Sequence, residues 1–145
     1  MKATKIILCD SNIVFGIFWR ILHNQEINHS VLFDLAQLHE VYISEYILSE
    51  ISIVFSRDYN IILNIYHIEK FFEISNFYII ESKDHTSLEI LALVLDEKDA
   101  AILQDAVNIS ADILLTKNIK DYQVNDIYNK FHILVINNIP LDLLY

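Results

Sequence analysis

The chain has 145 residues, 54% of them hydrophobic and 21% charged, with a formal net charge of −10 and a single cysteine. That length and composition suit one globular domain, read over 1–145, and exclude an intrinsically disordered chain. One cysteine, Cys9, excludes an internal disulfide and a cysteine-built zinc site, and the acidity argues against a protein that holds nucleic acid by phosphate contacts alone.

The first predicted element is a strand over 4–9, within "KIILCDSN", whose apolar run stops abruptly at Asp10. A nearly all-round apolar helix follows over about 12–24. Its stretch "NIVFGIFWRIL" is too short for a bilayer and contains Arg20, while Asp10 interrupts any signal-peptide core. No membrane association is expected, and a reducing, cytoplasmic compartment fits best. Phe15, Phe18 and Trp19 make this helix apolar on more than one face. Core packing is the default reason, and a surplus face would be a homodimer or partner surface.

A short helix within "HSVLFDLAQLH" leads to a strand "VYIS" at 41–44, then to amphipathic helices at 45–57 and 60–74. A strand "FYIIE" at 77–81 precedes helices at about 86–95 and 97–109. "DILLT" at 112–116 and "HILVI" at 132–136 complete the strands. Short, unbroken apolar strands alternating with helices predict an α/β fold, with a mostly parallel sheet of four to five strands covered on both faces. Ligands of such sheets bind beyond the carboxyl ends of the strands, where Asp10 is expected.

Other carboxylates stand where the apolar pattern does not want them. Glu50 lies three residues after Ile47 and four before Val54, so a helix turns it inward with that stripe. Asp99 precedes Ile102 and Leu103 at the inner side of a first helical turn, where helix-terminal charge preference is an equally good explanation. Glu45, after the capping candidate Ser44, reads as structural. Just past "DILLT", Asn118 and Asp121 are candidates in what is otherwise an ordinary polar loop. If Asp10, Glu50 and Asp99 converge at about 5 Å, each pair repels by roughly 3 kcal/mol at an effective dielectric near 20. Protons or a hard divalent cation, Mg²⁺ or Mn²⁺, would then be taken up, and such a pocket suits hydrolysis of a phosphate ester. The six histidines show no metal-ligand spacing, and Gly16 alone cannot build a phosphate loop.

In order and spacing these pieces resemble the PIN-domain ribonucleases, particularly small members such as the VapC-like toxins. The resemblance rests on Asp10-Ser11-Asn12 after the first strand, "ISEYILSEI" around Glu50, "DEKDAAIL" around Asp99 and "LLTKNIKDY" after the fourth strand, and it spans nearly the whole chain. It implies a three-layer PIN-like fold, an acidic Mg²⁺ or Mn²⁺ pocket and endonucleolytic cleavage of RNA, in a toxin paired with an antitoxin protein. Carried over, Asp10, Glu50 and Asp99 are metal ligands and catalytic acids, and Asn12 and Thr116 orient the pocket. Asn118 stands where many members have Asp; Asp121 supplies the missing charge, with Tyr122 in place of a Phe. Two rival readings are a catalytically weak or inactive PIN-like module that binds a protein or RNA, and a phosphatase-like domain with Asp10 as nucleophile. Retention of three acids disfavours the first, and Ser11-Asn12 after Asp10 disfavours the second. Arg20, Arg57, Lys117 and Lys120 are candidates for guiding a substrate, each more plausibly an ordinary solvated residue.

Overall fold

The computed structural model describes residues 3–27, 30–83 and 86–145. In chain order the regular elements are β1 (Ile6–Cys9), α1 (Ser11–Leu22), α2 (Val31–Leu38), β2 (Glu40–Ser44), α3 (Glu45–Tyr59), α4 (Ile65–Ser75), β3 (Tyr78–Ile80), α5 (Leu88–Leu91), α6 (Glu97–Asn108), β4 (Ile113–Leu115), α7 (Val124–Phe131) and β5 (Leu134–Ile136). Short 3₁₀ turns occupy Ile119–Asp121 and Leu141–Leu143.

The five strands form one sheet in the order β3-β2-β1-β4-β5, and every pairing is parallel. The expected three-layer α/β architecture is therefore present, with a wholly parallel sheet. β1 is central, with Leu8 in register with Tyr42 of β2 and Cys9 with Leu115 of β4. The chain winds outward from β1 through β2 to β3, then returns to lay β4 and β5 on the other side. The gap between the ends of β1 and β4 is thus the topological switch point, where open α/β sheets bind ligands.

Burial follows the same centre. β4 and the last three residues of β1 are buried, whereas Tyr78 and Ile79 of the edge strand β3 are exposed. α1 turns Val14, Ile17, Phe18 and Ile21 inward, and Phe18 stacks on Phe71 of α4 at 4.3 Å. α3 buries Ile47, Ile51 and Phe55. No helix among the described residues is long and apolar enough to cross a membrane.

Element boundaries differ from the sequence reading in instructive places. The helix expected over 60–74 begins at Ile65, because Asn60 adopts the left-handed conformation that closes α3 and Asn64 caps α4 with a reciprocal bond to His67. The helix expected over 86–95 shrinks to α5, and α7 was not anticipated. The short helix drawn from His29 starts at Val31, and His29 itself lies outside the described residues.

Candidate metal centre at the carboxyl edge

Asp10 ends β1 and caps α1, so one residue belongs to both elements. Its backbone N–H donates to the Leu115 carbonyl at 2.9 Å, extending the β1–β4 ladder by one step. Its side chain is held by three donors. Oδ1 accepts from the Ser11 backbone N–H at 2.6 Å and more weakly from the Ser11 hydroxyl at 3.3 Å. Oδ2 accepts from the Thr116 hydroxyl at 2.8 Å. Asp10 is only 3% exposed, and burial raises its pKa against the lowering pull of those donors; the charge on Asp121 raises it further.

Thr116, fully buried at the end of β4, is the hub of the edge. While its hydroxyl donates to Asp10, its oxygen accepts from the Asn118 backbone N–H at 3.2 Å and, at the long distance of 3.4 Å, from the Asn12 amide. The Asn12 carbonyl oxygen in turn accepts from the Lys117 backbone N–H at 3.0 Å. Asn12 and Thr116 thereby tie the first turn of α1 to the loop after β4.

Glu50 lies on α3, half-buried, and its Oε1 is buried with no hydrogen-bond partner among the described residues. Burial pushes its carboxyl from 4.5 to about 7, the charges of Asp10, Asp99 and Asp96 push the same way, and Lys98 opposes them. Asp99, half-buried in the first turn of α6, is raised from 3.8 to about 6 by burial and then by Asp10, Asp121 and Asp96, with the Tyr122 hydroxyl pulling it down. These shifts place Asp10, Glu50, Asp99 and Asp121 in one electrostatic neighbourhood. Asn118 is exposed and carries no charge into it. Glu45 points elsewhere, accepting from the Ser82 backbone N–H at 3.1 Å.

Two tyrosines stand at this edge: Tyr46, which the sequence reading did not single out, and Tyr122, which it named only as replacing a Phe. Tyr122 is buried, its hydroxyl has no partner in hydrogen-bond geometry among the described residues, and burial and the surrounding carboxylates raise its pKa. Tyr46, four residues before Glu50 and so on the same face of α3, is raised chiefly by burial and then by the Glu50, Asp96, Asp99 and Asp10 charges. That four-residue spacing was the available signal for Tyr46; a buried Tyr122 had none.

The donors around this edge are all oxygens, and the orphaned Glu50 Oε1 and the two upward-shifted carboxyls are features that a hard divalent cation relieves. The residues present fit such an ion chemically. Among the described residues, no three His, Cys, Asp or Glu side chains are gathered closely enough to enclose one.

No protein-family model and no curated protein matches the chain. Among solved structures, it is similar to a chain in the crystal structure of VapBC2 from Rickettsia felis bound to a DNA fragment from their promoter. The two share 20% sequence identity over 90% of this chain and 96% of that one, with a TM-score of 0.55. At that identity the likeness is one of fold.

Proposed function

We propose that this chain is a metal-dependent endoribonuclease of the PIN type that hydrolyses RNA phosphodiester bonds, and that it acts as the toxin of a toxin–antitoxin pair. The observation that carries the nuclease reading is Glu50: a carboxylate on the core-facing side of α3, one oxygen orphaned, held up to about 7 beside Asp10 and Asp99. An isolated carboxylate in such a place is costly, and retaining several is understandable if a cation offsets them.

In this reading Asp10, Glu50, Asp99 and Asp121 hold Mg²⁺ or Mn²⁺, with the Asn118 carbonyl as a neutral donor within reach of the same loop. The chemistry such an ion supplies when bound is a more acidic water and charge compensation at the phosphoryl oxygens. The chain's own part is positional. Ser11 and Thr116 fix both oxygens of Asp10, leaving its remaining lone pairs aimed by the backbone rather than by a free rotor. Asn12 fixes Thr116 and the Lys117 backbone, so the carboxylate and the loop after β4 keep one relative placement. Glu50 and Asp99 exchange protons near neutrality when no cation is present, so ion uptake releases protons.

The toxin assignment draws on the resemblance to VapC-like proteins and on the fold shared with a chain of VapBC2. An antitoxin protein, a homodimer and a cytoplasmic setting belong to the same proposal. The deciding experiment incubates the protein with mixed-sequence RNA in Mn²⁺, Mg²⁺ or EDTA, beside an Asp10→Asn/Asp99→Asn variant. Metal-dependent cleavage that the variant lacks is the expected result. Intact RNA together with no Mn²⁺ binding by calorimetry would remove the basis for the reading.

A further inference from the structure

Directly beside Glu50 the edge opens into a cleft of about 320 Å³ between the first turns of α1 and the middle of α3. Ser11, Asn12 and Lys117 form its polar rim with Glu50 beside them in the lining, and Phe15, Ile51 and Val54 its apolar wall. The wall is rigid: the Phe15 ring stacks on the fully buried Phe55 ring at 4.7 Å with only 9° between planes. Aromatic surface continues outward from there. Trp19 follows Phe15 on α1 at 6.4 Å, packs edge-on to Tyr59 at 4.8 Å and stacks with His23 at 4.0 Å, and Tyr59 is 46% exposed.

We infer that this cleft is a base-binding slot for an unstacked nucleotide of single-stranded RNA next to the phosphate being cut; the choice of ligand rests on the nuclease reading. A flat ring with apolar faces and a polar edge matches a wall of Phe15, Ile51 and Val54 opposite a rim of Ser11, Asn12 and Lys117. A phosphate matches less well, because the wall of Phe15, Ile51 and Val54 offers it no hydrogen-bond donor. The charge balance points the same way. With a net charge of −10, the protein cannot draw its RNA affinity from phosphate contacts in the usual way, so a stacking contribution has to carry more of it. A base inside a duplex is already stacked and cannot enter, so the slot selects single strands, loops or bulges.

Trp19 is the only tryptophan of the chain and adjoins the aromatic wall, so its emission reports occupancy without a label. We would titrate the protein in EDTA, at about 0.3 M salt to screen the net negative charge of the chain, with a ten-nucleotide single-stranded RNA and with the same sequence as a duplex. Phe15→Leu removes the ring while keeping apolar bulk, and Val54→Met fills the half-buried mouth without touching the aromatic pairs; thermal melting checks that both are folded. The expected result is saturable quenching by the single strand, little by the duplex, and an affinity about 5- to 150-fold weaker in each variant, the range of one lost base stack. Cleavage in Mn²⁺ is scored in parallel. If RNA binds and both variants lose affinity while nothing is cleaved, the slot stands and the nuclease reading falls. If cleavage occurs but both variants bind like the parent, the nuclease stands and the slot is overturned. Absence of any quenching also overturns it and leaves the cleft to another occupant, such as a protein side chain.

Discussion

Under the proposed function, Glu50 is the residue at which stability and metal binding pull in opposite directions. Its folded-state carboxyl titrates at about 7 against an ordinary 4.5, and that of Asp99 at about 6 against 3.8. Raised folded values mean that, from 4.5 to about 7 for Glu50 and from 3.8 to about 6 for Asp99, the metal-free folded state holds protons the unfolded chain has released. Stability therefore falls as pH rises through those windows, and the loss is complete above them. Glu50→Gln removes this residue's share. Its melting temperature in EDTA is expected to exceed that of the parent by a few degrees at pH 8, on the order of 1 kcal/mol after allowance for solvent screening, with the difference vanishing near pH 5. The same variant should bind Mn²⁺ more weakly. Equal melting curves at both pH values would show that Glu50 carries no such burden. Thr116→Val probes the hub instead. It keeps the buried shape and deletes one donor to Asp10, leaving Asn118 N–H without its acceptor. A cost of about 1–3 kcal/mol and loss of cleavage are expected, read by thermal melting and by the RNA assay.

Between elements, the decisive contact is one that local pattern cannot disclose. The helical signal over 86–95 gives out after α5 because Val94 forms an antiparallel bridge with Tyr122. The Leu95 N–H donates to the Asp121 carbonyl at 2.9 Å and the Gln123 N–H to that of Leu93 at 2.8 Å. That bridge brings the loop after β4 against the start of α6, and so Asp121 against Asp99. The succession of strands and helices, the inward turn of Glu50 and the strand-end position of Asp10 were legible in apolar periodicity, because burial sets that periodicity, whereas the spatial order of the strands was not. The Val94–Tyr122 bridge was not, since its partners are far apart in the chain. Helix α7 was hidden for a local reason: Gln123 caps it with no side-chain bond, so its start carried no signal although Val124, Ile127, Tyr128 and Phe131 follow helical spacing. A second junction is equally non-local. The Ser82 hydroxyl accepts from the Tyr46 backbone N–H at 3.0 Å and donates to the buried Asp105 at 2.9 Å, pinning the segment after β3 to α3 and α6. Ser82→Ala strands the Tyr46 N–H and removes one of the donors to Asp105, which keeps Ser44. The expected loss is about 1–3 kcal/mol, visible as a lower urea midpoint with an unchanged m-value.

For the molecule as a whole, the excess of negative charge and the convergence of acids at one sheet edge make two separable contributions to instability. Diffuse repulsion among surface carboxylates, part of a net charge of −10, is screened by any salt once the Debye length falls to a few ångströms. The repulsion among the buried Asp10 and the half-buried Glu50 and Asp99 is screened far less, and a divalent ion bound to the folded state would relieve it by mass action, as RT ln(1 + [L]/Kd). Melting curves at pH 8 should accordingly rise with NaCl to a plateau, and rise again when Mg²⁺ or Mn²⁺ is added at that plateau. The second rise should grow with the logarithm of ion concentration, about 2.7 kcal/mol at a hundredfold excess over Kd. In Asp10→Asn/Asp99→Asn the NaCl response should persist while the divalent response collapses. A divalent effect that NaCl abolishes, or that survives in the double variant, would mean that the ions act on the diffuse charge only and that the carboxyl edge of β1 is not their binding place.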